Sequence, residues 1–157
     1  MPDYAPFQEP GRKHPAKGVQ ISLGEPTIVF LTVCTKNRAP WLAQPEVHQT
    51  LRNIWSKAEA WLVGEYLLMP DHLHLFCAPQ DLSFTLENWV SHWKRKFTCL
   101  HLLNTGDWLR NFWDTRLRHG ENYTEKWHYV RENPVRAGLV KQPEDWPYQG
   151  SLNVLRW

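Results

Sequence analysis

The stretch Gly64-Glu65-Tyr66-Leu67-Leu68-Met69-Pro70-Asp71-His72-Leu73-His74-Leu75-Phe76-Cys77 decides the fold of this chain. Two strand-like apolar runs, Gly64 to Met69 and His72 to Cys77, meet at Pro70-Asp71. Proline fixes its own φ and aspartate bonds the turn backbone, so the pair predicts a hairpin. Alternate residues of a strand share a face, which puts His72 and His74 on one side and Leu73, Leu75 and Cys77 on the other. The apolar side anchors the strand in a core and keeps the imidazoles positioned. The spacing by itself admits two readings: a pair of partly exposed sheet histidines, or two ligands of one metal ion. A structural zinc site fits poorly, because Cys77 points to the wrong face and no second ligand pair follows. Two histidines with an oxygen ligand would leave coordination positions open, which suits a catalytic divalent ion.

Working outward, residues 27–35 (Thr-Ile-Val-Phe-Leu-Thr-Val-Cys-Thr) are rich in β-branched and aromatic side chains and read as a buried strand. From Pro45 to Trp61, Val47, Leu51, Ile54, Trp55, Ala58 and Trp61 recur at helical steps. A second helix is expected from about Ser83 to Leu103, stopped by Asn104-Thr105-Gly106, with Leu86, Trp89, Val90, Trp93, Phe97 and Leu100 on one face. Trp108 to Arg116 reads as a fourth strand, and a third helix runs from Glu121 or Asn122 to Glu132, ended by Asn133-Pro134. The remainder, through Asp145-Trp146-Pro147-Tyr148, reads as loop and a short terminal element. The order β-α-β-β-α-β plus a helix predicts an α+β fold: a ferredoxin-like split βαβ, an antiparallel sheet with helices on one face, followed by a C-terminal helix. Residues 1–25, punctuated by four prolines and three glycines, read as an irregular basic arm, with residues 26–157 as one domain. Such a fold hosts many functions, so function must come from the site.

Whole-chain composition narrows the field. With 157 residues, 42% apolar and 22% charged, the chain is an ordinary globular protein able to bury a core. Ten tryptophans are unusual for this length; each is chiefly a bulky core or rim residue, though some could stack on a flat ligand. Cys34, Cys77 and Cys99 are odd in number and widely spaced, which fits reduced thiols in a cytoplasmic protein. No apolar run is long enough for a membrane span and the N-terminus lacks the core of a signal peptide, so no membrane partner is expected. Net charge is only +2, yet Lys94 to Lys141 holds ten Lys and Arg against five Asp and Glu. That asymmetry is a modest footprint for a polyanion, and also fits a solvated charged face.

A second constellation is Tyr129-Val130-Arg131-Glu132-Asn133. Residues four apart on a helix lie one turn from each other on one face, so Tyr129 offers a phenol and Asn133 an amide oxygen side by side. Spacing alone equally allows a rim tyrosine and an Asn cap before Pro134. Tyr123 is the competing phenol, but its helical phase differs from that of Asn133. A phenol is a poor nucleophile at neutral pH; a divalent ion beside a phosphodiester would neutralise developing charge and orient the ester for in-line attack. Single-strand binding needs a cationic groove and stacking surfaces. Candidates for the groove are Arg12, Lys13, Lys94, Arg95, Lys96, Arg110, Arg116, Arg118, Arg131 and Arg136; Trp108, Trp113, Trp127 and the arm residue Lys17 are weaker candidates for base stacking and guide recognition.

At these residues the chain resembles a known family. Met69-Pro70-Asp71-His72-Leu73-His74-Leu75-Phe76 resembles the His-hydrophobic-His motif of the single-tyrosine transposases of insertion-sequence 200/605 type, in the HUH nuclease superfamily. Residues 129–140 (Tyr-Val-Arg-Glu-Asn-Pro-Val-Arg-Ala-Gly-Leu-Val) resemble a signature of their domesticated branch, the REP-associated tyrosine transposases, as do Trp113-Asp114-Thr115-Arg116-Leu117-Arg118 and Glu144-Asp145-Trp146-Pro147-Tyr148. The resemblance spans roughly residues 27 to 150; the neighbourhood of the first strand and the arm departs from the family pattern, which leaves the DNA sequence recognised open. It implies an enzyme with Mg²⁺ or Mn²⁺ at His72 and His74 and Asn133 as third ligand. It also implies Tyr129 as the nucleophile, forming a 5′-phosphotyrosine link on single-stranded DNA bearing hairpins. Mn²⁺ suits imidazole better than Mg²⁺. A monomer and a tyrosine-swapping homodimer both fit, as does a nucleoid-associated location. Two other readings stay open at this point: the same fold holding hairpins without cutting, and a replication-initiator nuclease, disfavoured because such proteins carry further domains.

Overall fold

In a computed structural model, which describes residues 27–101, 106–117 and 120–156, β3 (His72–Pro79) lies between β1 (Ile28–Thr35) and β2 (Trp61–Leu68). β4 (Trp108–Leu117) borders β1 and β5 (Gln149–Ser151) borders β2, giving the order β4-β1-β3-β2-β5 with every neighbouring pair antiparallel. The helices are α1 (Pro45–Ser56), α2 (Leu86–Leu100), α3 (Gly120–Arg131) and a single turn, α4 (Asn133–Arg136). The α+β class and antiparallel sheet expected from the sequence are present. The arm, with Arg12, Lys13 and Lys17, lies outside the described residues, as does Arg118. No described helix is long and apolar enough to cross a membrane.

Strand periodicity divides the interior into two layers. Val29, Leu31 and Val33 of β1 join Leu73, Leu75 and Cys77 of β3 in one core, covered by α1 and α2. Ile28, Phe30 and Phe76 face the opposite way, into a second core with Val130 of α3 and Trp146. β1 is buried along its full length because both faces are covered. Six tryptophans (Trp41, Trp55, Trp61, Trp89, Trp93 and Trp146) are buried, and Trp108 packs edge-on against Trp41, Trp93 and Phe97. Trp108 is therefore a core residue rather than a stacking platform.

Several boundaries differ from the sequence expectation, among them the end of α2, which falls at Leu100 rather than Leu103. α1 ends at Ser56, and Trp61, which continues the helical spacing, instead opens β2 opposite Pro79; its ring stacks 6.0 Å from Trp89 and its Nε1 donates to the Phe84 carbonyl at 2.9 Å. Helical phase cannot see such a strand-first role, because one large apolar side chain satisfies either period. α2 starts at Leu86, capped by Thr85 Oγ1 accepting from Asn88 N, because Ser83 is engaged by the Asp81 carboxylate (3.0 Å from its N, 2.7 Å from its Oγ). Asn133-Pro134 does not stop the helical path: only Glu132 separates α3 from α4, where Pro134 sits in the first turn and needs no N–H partner. The helical path ends at Gly138, with φ +73°, a left-handed conformation that glycine adopts without strain.

The C-terminal segment, expected to be loop plus a short element, clasps β2. Trp146 Nε1 donates to the Leu68 carbonyl (2.9 Å), Leu68 N to Tyr148 O (2.8 Å) and Asn153 Nδ2 to Val63 O (3.0 Å). Gly150 pairs with Tyr66, whose buried hydroxyl accepts from Arg52 Nη1 (2.8 Å) and bonds His48 Nε2 (2.7 Å). A Cβ on Gly150 would lie 2.7 Å from Tyr66 Oη and 2.8 Å from Arg52 Nη1. Gly150→Ala is expected to destabilise the fold by about 1–3 kcal/mol through overpacking. In a Tyr66→Phe background, where the crowding oxygen is gone, the same change should cost less. Thermal melting of the four proteins of the cycle checks this; equal costs in both backgrounds would contradict the clash.

Candidate functional site

His72 and His74 emerge from β3 on the face of the second core, as the strand alternation requires, while Leu73 and Leu75 point into the first. Antiparallel pairing places His72 opposite Cys34 and His74 opposite Thr32. The rings meet edge to face with centroids 4.9 Å apart. His74 Nδ1 lies 2.9 Å from Thr32 Oγ1, and Phe30 stacks on the His74 ring at 5.2 Å. His72 Nδ1 lies 2.7 Å from Asp71 Oδ1. A carboxylate only accepts, so Nδ1 carries the proton in that bond and the neutral ring offers Nε2 as its lone pair.

Asp71 is itself fixed. Its carbonyl accepts from Thr35 N (3.0 Å) and Thr35 Oγ1 (3.1 Å), which ties the hairpin turn to the end of β1. Arg38 Nη1 approaches Asp71 Oδ2 at 3.8 Å from a turn in which Asn37 and Arg38 both hold positive φ, +58° and +56°. For an arginine that conformation is unusual, and it brings the guanidinium side of the turn to the buried carboxylate.

Electrostatics keep both rings neutral. Burial lowers His72 below the ordinary 6.5, Asp71 opposing through its hydrogen bond and charge and Arg38 adding to the fall. Burial pushes His74 down much further, helped by the charges of His72, Lys126 and Arg136. Neutral imidazole is the ligating form, and a second partner on Nδ1 is the usual way a metal-binding histidine is oriented. The pair therefore has the donor chemistry for a divalent ion at the two Nε2 atoms. Among the described residues no group of three or more His, Cys, Asp or Glu is arranged to hold a metal ion.

α3 crosses this same face. Tyr123 packs on Phe76 at 4.3 Å, Trp127 at 6.1 Å, and Val130 is buried. Lys126 holds its Nζ 4.8 Å from the Phe30 ring, the ring that stacks on His74. Tyr129 is 65% exposed. The guanidinium carbon of Arg136 sits 4.0 Å over the Tyr129 ring, while its Nη2 donates to Tyr129 O at 2.8 Å and to Asn133 Oδ1. Tyr123, the competing phenol, is half-buried against the sheet and serves packing. Strand histidines and tyrosine helix thus occupy one face, linked by Lys126 and Arg136, both close enough to His74 to depress its protonation.

The proposed DNA contacts divide. Arg131 and Arg136 flank Tyr129; Arg131 Nη2 also reaches Glu144 Oε1 at 3.4 Å. Lys94, Arg95 and Lys96 lie on α2, across the sheet from the histidines. Lys94 turns inward, donating to Leu109 O at 2.9 Å, and burial draws its ammonium down to about 8. Arg116 pairs with Val29 and so shares the face of the first core, while Arg110 is exposed on β4. The alternation of β4 and the amphipathic phase of α2 thus turn these basic residues away from the histidine face. Trp113, opposite Thr32, and Trp127 lie on the histidine side, Trp127 against Phe76. Sequence reading passed over Lys126, Thr32 and Arg38 and took Asp71 as a turn residue only. Lys126, three residues before Tyr129, was within reach of a helical-face argument; Thr32 and Arg38 required the strand register.

The depressed histidines set a pH dependence. In the unfolded chain each binds a proton near 6.5, whereas in the fold His74 binds one only at much lower pH. Stability contributed by the neutral rings is complete above 6.5 and is lost as pH falls below it, with a slope of up to about 1.4 kcal/mol per pH unit for each ring. Denaturant titrations from pH 7.5 to 5 should show this decline, and His74→Gln should flatten it. A slope unchanged by the substitution would contradict a buried neutral His74.

No protein-family model matches the chain. It is 29% identical over 124 residues to the REP-associated tyrosine transposase of Escherichia coli (strain K12), covering 76% of this chain and 73% of that protein. It is 27% identical over 94 residues, about half of each chain, to a Haemophilus influenzae protein provisionally given the same name. Its fold matches a solved structure described as the REP-associated tyrosine transposase bound to a REP hairpin, with TM-score 0.66 and 24% identity over 91% of this chain and 82% of that one. In sequence and in fold, the chain is thus similar to the REP-associated tyrosine transposases.

Proposed function

We propose that the chain is a transposase-type enzyme: a divalent-metal-dependent endonuclease and strand transferase acting on single-stranded DNA with REP-like hairpins, with Tyr129 as nucleophile. The observation that carries this reading is the packing of α3, with Tyr129, on the sheet face that bears His72 and His74. Relatives named for this activity, and a similar fold described with a REP hairpin, support the substrate class.

His72 and His74 would hold the ion through Nε2, oriented by Asp71 and Thr32. Asn133 would add its amide oxygen, which requires Oδ1 to exchange the Arg136 guanidinium for the metal. Mn²⁺ suits this nitrogen-containing set better than Mg²⁺. When bound, the ion neutralises charge on the phosphodiester and favours in-line displacement. Tyr129 gives up its phenol proton, its oxygen bonds to phosphorus, and the bond from phosphorus to the 3′ oxygen breaks. That oxygen takes up a proton as the free 3′-hydroxyl, and the 5′-phosphate stays on the tyrosine. The link conserves the ester energy, so attack by another 3′-hydroxyl reverses the step and joins new ends without ATP. Lys126 and Arg136 place positive charge beside the histidines, where an anionic ester would lie.

Incubation with hairpin-bearing single-stranded DNA and Mn²⁺ should give a covalent adduct on a denaturing gel. Tyr129→Phe should abolish it, and His72→Ala should lose metal-dependent cutting while DNA binding persists. No adduct with any hairpin would leave a hairpin-binding protein that does not cut, and an adduct that survives Tyr129→Phe would move the nucleophile to another residue.

A further inference from the structure

Tyr129 projects from a helix face at 65% exposure, where a phenol ring ordinarily samples several rotamers. In-line attack demands much tighter placement, and a misplacement of about 1 Å can cost about 10²-fold in rate. Among the described residues, one side chain lies against this ring. Arg136, two helical turns further on, lays its guanidinium 4.0 Å over the Tyr129 ring. The same Nη2 donates to the Tyr129 carbonyl at 2.8 Å and to the Asn133 side-chain oxygen. Glu132 joins α3 to α4 between Tyr129 and Arg136, and these contacts span that junction. The guanidinium is thus engaged with three groups of its own chain. Lysine, a point charge without a planar fork, could not stack on the ring and donate in the fork's geometry together.

The geometry points to Arg136 as the positioning residue of the nucleophile, a role distinct from the phosphate contact that its charge alone suggests. By holding ring, backbone and amide at once, it sets the rotamer of Tyr129 and holds Asn133 Oδ1 until a metal ion takes the guanidinium's place. This rests on the reading of Tyr129 as the attacking group.

Two readouts test it. In single-turnover adduct formation with hairpin DNA and Mn²⁺, Arg136→Ala and Arg136→Lys should both slow the covalent step about 10²-fold. The slowing should be alike in both variants and should persist at saturating DNA, as for a group acting on the reaction rather than on binding alone. If Arg136→Ala instead loses affinity and rate together and Arg136→Lys restores both, the residue is a phosphate contact and the proposal fails. The second readout needs no cleavage. The aromatic NMR signals of Tyr129, identified by their loss in Tyr129→Phe, should move in both Arg136 variants of the metal-free protein; unmoved signals overturn the ring contact. An absent adduct in the parent protein, or one persisting in Tyr129→Phe, would reject the nucleophile, and the NMR arm would still decide whether Arg136 holds the ring.

Discussion

The pairing of β1 with β3 is the constraint on which the rest depends. It sets Thr32 against His74 and Cys34 against His72, and a slip of one residue would turn both imidazoles into the apolar layer beneath α1 and α2. Leu73, Leu75 and Cys77 on one side and Phe76 on the other make that slip costly, because each face must then bury the wrong groups. The register is fastened at the turn, where Thr35 binds the Asp71 carbonyl through both backbone and hydroxyl. The hydrophobic pattern that folds the sheet therefore also aims the two histidines.

Aim alone would not make a site; the second layer supplies the remainder. α3 is held to the histidine face by Tyr123, Trp127 and Val130, which leaves Lys126 and Tyr129 at its margin. Burial keeps the imidazoles neutral, and the Asp71 carboxylate selects which nitrogen of His72 is presented. The neighbouring cations reinforce neutrality while offering charge to an anion. A site that repels protons from its nitrogens and attracts phosphate suits metal-assisted chemistry on a phosphodiester.

Much of this was legible in the chain itself. Strict alternation in residues 72–77 gave the faces of β3, and the four-residue step from Tyr129 to Asn133 gave their proximity, since both are local periodicities. Helix ends were less legible: Trp61 satisfied helical phase yet begins a strand, and Pro134 opens a helical turn that proline was expected to close. The placement of the basic residues was the least legible. Charge in sequence carries no information on which side of a sheet it falls, and Lys94 and Arg116 lie on the other layer from the tyrosine. Thr32, Arg38 and the orienting role of Asp71 depend on contacts thirty or more residues apart, except for the adjacent His72, and no local pattern announces them.

The central claim is one site built from a strand and a later helix, with Tyr129 as the attacking group. Its most direct test is to digest the protein–DNA adduct formed on hairpin substrate and locate the modified peptide by mass spectrometry. The account predicts a 5′-phosphonucleotide on Tyr129. The same modification on Tyr123 or Tyr148, or on a residue outside α3, would contradict it.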